Sequence, residues 1–425
     1  MLLARFWKNA HGGVAPMLAL AIIPLLTAVG SAIDYGRASS ARTSFQTALD
    51  STALMMSKVA ATSTGQQLTA DATDTLNALF SRPDVSGVTV TASYVKSGGS
   101  KVILTANAAI ATEFLTFLGY STIPISASAT ASWGNTRLRV SLVLDNTGSM
   151  SQDNKMTALQ TASHNLLTQL QSAASTSDDV YVSIIPFNKD VNIGSSNYTQ
   201  PWLRWDLWDA ANGTCTGAWG SSQTKCQNNG GTWAPAAHST WNGCLTDRDQ
   251  NYDTTNDAPV AGSTLYPTEQ YSSCPTQLIG LSNDWTALSN KIDAMAPKGN
   301  TNQAVGLQVG WQSLTASPFT VPPFDSNYSY KQVIILLTDG LNTQDRWYTN
   351  QSQIDARQEK TCDNIKAAGI TLYTVQVDTS GDPTSTLLQY CASDSNKFYL
   401  LTSADGIVTT FNQIGTALTN LRLTN

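Results

Sequence analysis

Three oxygen-bearing side chains, Asp145, Thr147 and Ser149, stand at spacing i, i+2, i+4 directly after Val140 to Leu144, a short run rich in Val and Leu. Such a run has the composition of a strand buried on both faces of a parallel sheet. In an open α/β sheet ligands bind beyond the carboxyl ends of the strands. A carboxylate and two hydroxyls on a Gly-containing loop at that edge are donors for a hard divalent cation such as Mg²⁺. Asp, Thr and Ser also cap helices, so a strand end followed by a Ser/Thr-capped helix is the alternative reading. Two later stretches repeat the chemistry. Lys331 to Gly340 is a second apolar run that ends in a carboxylate, Asp339, and Gly299-Asn-Thr-Asn302 offers Thr301 at the mouth of an amphipathic segment. Three separate loops then supply oxygens.

The elements that must position these loops alternate. A helix with Met156, Leu159, Ala162, Leu166 and Leu170 on one face follows the first loop, and Asp179 to Phe187 reads as the next strand. Asn300 to Leu314 is a helix with Val305, Val309 and Leu314, and the strand leading to Asp339 comes after it. A further helix ends at Ala368-Gly369, where Gly is the expected C-cap, and Ile370 to Val377 is another buried strand. Lys397 to Leu401 is the last strand, and the closing helix places Ile407, Phe411, Ile414, Leu418 and Leu421 at spacings of 4, 3, 4 and 3. Strands alternating with helices predict an α/β fold with a doubly wound, mainly parallel sheet.

The chain order Asp145-x-Thr147-x-Ser149, then Thr301, then Asp339 before Gly340 resembles the von Willebrand factor A domain and its metal-ion-dependent adhesion site. The resemblance implies a metal set of Asp145, Thr147, Ser149, Thr301 and Asp339. The hydroxyls would bind the ion directly, the Asp residues often through water, and a carboxylate from a protein partner would complete the octahedron. The implied cofactor is Mg²⁺, or another divalent cation such as Mn²⁺ or Ca²⁺. Thr147 departs from the Ser of the best-known members but keeps the hydroxyl, which bears on affinity more than on binding itself.

A chain of 425 residues has room for two or three domains. Charged residues make up only 13% and Ser, Thr, Asn and Gln are abundant, a balance suited to the cell envelope or exterior. A net charge of −6 with no dense Lys/Arg block argues against a nucleic-acid partner. The six cysteines form no C-x-x-C pair, and His238 is the single histidine near them, so disulfides in an oxidising compartment are expected rather than zinc. Cys362 and Cys391, on two helices, are expected to pair; Cys215, Cys226, Cys244 and Cys274 form two more bridges in one of three connectivities. These four lie where apolar periodicity vanishes for about ninety residues past Gly194, which predicts an insertion over about 195–280 with its own staples. Trp202, Trp205, Trp208, Trp219, Trp233, Trp241 and Trp285 fall in or beside it. They are expected to fill a small disulfide-held core, the alternative being an aromatic surface for glycan or protein.

Residues 12 to 33 contain no charge, a stretch of about 33 Å if helical and long enough to cross a bilayer. Arg5 and Lys8 precede it and Asp34 follows, so a single span with a short cytoplasmic N-terminus (1–11) is expected, with everything past Asp34 outside. A cleaved signal peptide is the competing reading, against which the apolar run is longer than a usual h-region. The pattern continues as an amphipathic helix through Phe45, Leu49, Thr52/Ala53, Met56 and Val59. Strands follow at Val88 to Val95 and Lys101 to Thr105 around Ser97-Gly-Gly-Ser100, a hairpin signal, and again at Ile123 to Trp133. Gly12 to Pro24, with Ala32-Ile-Asp-Tyr-Gly-Arg37 and Ala48 to Leu54, resembles the N-terminal segment of the TadE/TadG-like proteins of the Flp (Tad) pilus system. Leu18 stands five residues after Gly13 where the pseudopilin members have Glu, so prepilin-peptidase processing is not expected.

The expected layout is therefore a span at 12–33, a pilin-like α+β region at 34–134, and an A-type domain at 137–425 carrying the insertion. No G-x-S-x-G, H-E-x-x-H or P-loop occurs, and His11, His164 and His238 follow no strand end, so a binder rather than an enzyme is expected. Asp190, Asp206, Asp209, Asp247 and Asp249 could pair as acid and base, but nothing fixes their spacing, and they read as scattered surface acids. The expectation is a single-pass component of a bacterial inner membrane, its C-terminal domain in the periplasm or directed to the surface, binding pilus or envelope proteins through the metal. The rivals are an assembly scaffold with a non-functional metal loop, and a metal-dependent envelope hydrolase acting on glycan.

Overall fold

The computed structural model describes residues 14–96, 99–133, 136–315, 317–379, 381 and 383–423, with the side chains of 14–16 and 421–423 outside that description. The expected cytoplasmic segment 1–11, the first residues of the span, the Ser97-Gly98 half of the hairpin turn and the Leu421 side chain thus lie outside the described residues. The chain divides into two compact units, Met1–Asn135 and Thr136–Asn425.

In the first unit, apolar span and amphipathic helix are one continuous element, α1 (Val14–Met56). Its N-terminal half is apolar enough to cross a membrane, with a mean hydropathy of 1.9. The two hydroxyls in this part of the helix donate to carbonyls one turn back, Thr27 to Ile23 at 2.8 Å and Ser31 to Thr27 at 2.7 Å. Neither polar group is therefore left unpaired in hydrocarbon. The second half buries Phe45, Leu49, Ala53 and Met56. It packs with α2 (Gly65–Leu79), whose start is held by a Thr64/Gln67 capping box, against an antiparallel meander of β1 (Val85–Val95), β2 (Ser100–Ala111) and β3 (Thr122–Trp133). Val59 does not join the helical face, because α1 ends at Met56; Ala60, in the following turns, is buried in its place.

The second unit begins with β4 (Thr136–Asp145), in which every residue is buried. It continues through α3 (Lys155–Ala173), β5 (Val180–Phe187), β6 (Val191–Asn192), β7 (Leu203–Arg204) and α4 (Asp206–Ala211). A small hairpin of β8 (Gly213–Thr216) and β9 (Thr232–Pro235) encloses α5 (Gln223–Asn228), and β10 (Cys244–Leu245) and β11 (Tyr266–Glu269) follow. The remaining elements are β12 (Ile279–Ser282), α6 (Trp285–Asp293), α7 (Gln303–Ser313), β13 (Ser329–Thr338), α8 (Gln351–Ala367), β14 (Thr371–Val377), α9 (Thr386–Cys391), β15 (Phe398–Leu401) and α10 (Asp405–Leu423). They form a ten-stranded sheet in the order β15-β14-β13-β4-β5-β6-β10-β11-β7, with β12 also on β5. The five strands from β15 to β5 are parallel. On β4, Leu138, Val140, Leu142 and Leu144 face the core shared with α3, α6 and α10, while Val143 faces α7, α8 and α9, the period-2 alternation of a strand covered on both sides.

Three expectations change. The insertion is not a self-contained mini-core: β6, β10, β11 and β7 extend the main sheet, and Trp208 and Trp241 are buried in the same cluster as α7. Edge strands of two to four residues carry too little periodicity to be seen in a sequence. Trp285 belongs to α6 rather than to the insertion, and Trp219 is exposed. Finally, α7 is buried all round, because β4 and β5 lie on one side of it and α8 and the insertion on the other. The cysteines pair as Cys215–Cys226, Cys244–Cys274 and Cys362–Cys391.

Candidate functional site

Parallel pairing of β4 with β13 sets Leu144 opposite Leu337, so Asp145 and Thr338 emerge side by side at the carboxyl edge of the sheet. The Thr338 hydroxyl donates to Asp145 Oδ2 at 2.6 Å, and the Thr147 N–H donates to Asp145 Oδ1 at 2.7 Å. Thr147 Oγ1 lies 3.1 Å from Ser149 Oγ, and Ser149 donates to Asp339 Oδ1 at 2.7 Å. Two carboxylates and three hydroxyls are thereby linked. The capping alternative does not describe this loop: α3 starts only at Lys155, after Asn154, and neither Thr147 nor Asn154 makes a side-chain cap.

The third loop is tied to the first two through its backbone. Gly148 N–H donates to the Gly299 carbonyl at 3.1 Å, and Asn146 bridges Phe187, Ala296 and Lys298. Gly299 has φ +83, and a Cβ there would lie 2.8 Å from both the Asn188 amide nitrogen and the Tyr271 hydroxyl, so glycine is required at this approach. Thr301 donates its N–H to Thr343 Oγ1 at 2.8 Å and accepts from the N–H groups of Thr343 and Gln344. Thr301 thus stands beside the loop that follows Asp339. Asn302 caps α7 through Val305, and Gln303 is held by Asn342 and Gly340.

Electrostatically the site is short of positive charge. Burial, and then the charge of Asp339, push the Asp145 carboxyl up to about 7, against the hydrogen bonds from Thr147 and Thr338. One cation is supplied from within: Lys155 Nζ donates to Asp339 Oδ2 at 2.7 Å, with side chains only 4% and 0% exposed. An all-oxygen donor set around facing carboxylates, one already drawing in an ammonium, fits a hard divalent cation.

Sequence reasoning missed Lys155, Asn146 and Thr338. A signal for Lys155 was present: a lysine in the first turn of a helix opposes the helix dipole, so a carboxylate partner should be sought. It also misjudged two acids. Asp190 and Asp247 are buried, not scattered on the surface, because the insertion folds over them, and Asp247 accepts from the Asn302 amide through both its oxygens, next to Thr301. Asp249 is clamped by Arg204 and Arg346, and Asp209 pairs with His238. The insertion therefore abuts the loops at the carboxyl edge of the sheet. Between the insertion and the loop beyond Asp339 runs a cleft of about 500 Å³, lined by Lys189, Trp208, Glu269, Gln344, Arg346 and Trp347 among others. His164 hydrogen-bonds to Asp293 and Ser289, and His238 stacks on Trp205, so neither serves the three loops; His11 lies outside the described residues.

Residues 12–61 match the family model of the Flp pilus-assembly TadE/G-like segment, and residues 266–413 match that of the von Willebrand factor type A domain. The latter stretch contains Thr301 and Asp339, while Asp145 lies ahead of it on the far side of the insertion. No curated protein matches the sequence. Among solved structures, the chain is similar to the pilus adhesin SpaC from Lactobacillus rhamnosus GG, with 15% identity and a TM-score of 0.39 over 80% of this chain and 34% of that one. It thus spans about a third of that relative's length. It is also similar to the vWF domain of the type V pili tip protein Mfa5 from Porphyromonas gingivalis, with 10% identity and a TM-score of 0.41 over 68% of this chain and 97% of that one. A third is proximal thread matrix protein 1 of the mussel byssus with a zinc-occupied MIDAS motif, at 13% identity, TM-score 0.33, and 67% and 46% coverage. With its two matched stretches in this order, the chain carries a TadE/G-like segment followed by a von Willebrand factor type A domain.

Proposed function

We propose that this chain is a membrane-anchored, extracytoplasmic component of a Flp/Tad-type pilus system whose A-type domain holds a divalent cation, Mg²⁺ by preference, and through it a carboxylate of a protein partner or surface. The observation that carries the reading is the linkage of three sequence-distant loops around Asp145, Thr147, Ser149 and Asp339, with Thr301 bonded to the loop beyond Asp339. These five residues would hold the ion, which supplies an open coordination position of high positive charge; such a device needs no general base. The apolar half of α1 supports the anchor, and three disulfides support an oxidising compartment outside the cytoplasm of a bacterial inner membrane.

One observation favours a second reading. The Lys155–Asp339 ion pair already gives the site a cation, as a scaffold whose metal loop only holds the fold together would require. Calorimetric titration of the full chain in detergent with Mg²⁺, Mn²⁺ and Ca²⁺ separates the two. Under the adhesion reading the parent binds one ion, Thr147→Ala/Ser149→Ala binds none, and envelope proteins captured in Mg²⁺ elute with chelator. A parent chain indifferent to millimolar divalent ions, or a double variant that binds as well as the parent, would sink it.

A further inference from the structure

The first unit carries an apolar surface that its own fold leaves uncovered. Between β2 and β3 the chain runs Phe114-Leu-Thr-Phe-Leu-Gly-Tyr120, with Phe117 86% exposed, Leu118 52% and Tyr120 67%. A soluble surface seldom presents contiguous aromatic and aliphatic side chains in this way. The loop is held firmly. The Asp34 carboxylate, itself buried, accepts the N–H groups of Glu113, Phe114 and Leu115 at 3.0, 2.9 and 2.7 Å and so fixes the start of the turn Leu115–Leu118. Gly30 lets Phe114 lie directly on α1, since a Cβ at that position would come within 2.6 Å of the phenylalanine side chain.

The pinned loop hangs beside the last two turns of the apolar stretch. Together with Leu26, Val29 and Ile33 of α1, Phe117 and Leu118 line an apolar groove of about 390 Å³. At 1.5 Å per residue, Leu26 lies about 12 Å along the helix from Asp34, within the outer half of a span that ends there. On the opposite side of Asp34 the chemistry inverts: Arg37 pairs with Glu113 at 2.8 Å and with Asp84 at 3.3 Å, and Arg82 pairs with Asp84 at 2.8 Å. Ionic groups above Asp34 and bare apolar groups below it mark one plane.

We infer that the Phe114–Tyr120 loop is a second membrane contact, seated among the headgroups and upper acyl chains of the outer leaflet beside the span, so that the unit is anchored at two points instead of swivelling on one helix. The inference rests on the reading of α1 as a membrane span, and the occupant follows from continuity: the groove is walled by the same helix face that lipid must already cover.

The native cysteines are all disulfide-bonded, so single added cysteines carrying an environment-sensitive nitrobenzoxadiazole label can be placed at Phe117→Cys, Leu20→Cys and Lys96→Cys in the full chain, reconstituted into phosphatidylcholine vesicles. The expected result is several-fold stronger quenching at 117 than at 96 by lipids spin-labelled high on the acyl chain, with position 20 quenched by labels placed deeper. Water-like emission at 117 with quenching at 20 overturns the proposal while leaving the span intact. A label at 117 that is shielded but unquenched by lipid, where the unlabelled Phe117→Cys chain crosslinks to a second copy through that cysteine, assigns the groove to a protein contact and also overturns it. Loss of quenching at both 20 and 117 removes the span and the proposal with it.

Discussion

Replacing Lys155 with Met tests the electrostatic account of the site most directly. The side chain is nearly isosteric along its stem, and the change removes a single charge 2.7 Å from Asp339 Oδ2, where both side chains are almost fully buried. Breaking a buried pair costs about 3–5 kcal/mol, because the survivor is left uncompensated. Here the survivor faces a second carboxylate, Asp145, whose proton affinity is already raised by burial and by Asp339. At about 2–4 °C per kcal/mol for a domain of this class, the second unit should lose roughly 6–20 °C in EDTA. A bound divalent ion returns the missing charge, so the deficit shrinks in millimolar Mg²⁺, and the metal-dependent rise in Tm is larger in the variant than in the parent. Tryptophan fluorescence during thermal unfolding reports the relevant unit, since nine of the eleven tryptophans lie beyond Thr136. A loss that is the same in EDTA and in Mg²⁺, or under about 1 kcal/mol in EDTA, would refute the idea that Lys155 and a metal ion answer the same excess of negative charge.

Two further outcomes are expected. Burial pushes the carboxyls of Asp145 and Asp247 up to about 7, helped by Asp339 for the first and by Asp345 for the second. Folded carboxyls raised above the unfolded value of 3.8 hold their protons more tightly than the unfolded chain does, so their contribution is complete below that value and is lost as pH rises to about 7. In EDTA, Tm should therefore fall from pH 5 to pH 7 and level off by pH 8, with a shallower slope in Mg²⁺; a rise across that window would contradict it. Separately, Cys362→Ser/Cys391→Ser opens a bridge spanning 29 residues between α8 and α9, which loop-closure entropy sets at about 3.5 kcal/mol. Melting should drop while Mg²⁺ affinity stays within a factor of two, and an unchanged Tm would show that the bridge does not constrain the unfolded chain.

Much of the site is legible in one dimension because its parts are local. A strand buried on both faces needs an unbroken apolar run, and such runs end at Asp145 and Asp339, where a parallel sheet must offer its carboxyl edge. The helical face of α3 follows from 3.6-residue spacing, and Met156, Leu159, Ala162, Leu166 and Leu170 are all buried. The insertion is opaque for the opposite reason. Its strands of two to four residues owe their existence to pairing with β6 and the sheet edge, and its buried acids owe their burial to distant partners such as Asn302 and Arg346.

What the residues alone determine, then, is the alternation of strands and helices, the apolar length of α1 and the presence of oxygen donors at two strand ends, since each depends on neighbours within a turn or two of chain. Only the tertiary structure decides that Lys155 neutralises a carboxylate 184 residues away, that the Trp-rich insertion widens the main sheet beside the loops that carry Asp145 and Asp339, and that Asp34 pins a loop 79 to 81 residues further on. Such pairings join groups whose separation in sequence leaves no period to read, and only where the chain brings buried charges together does each find its partner.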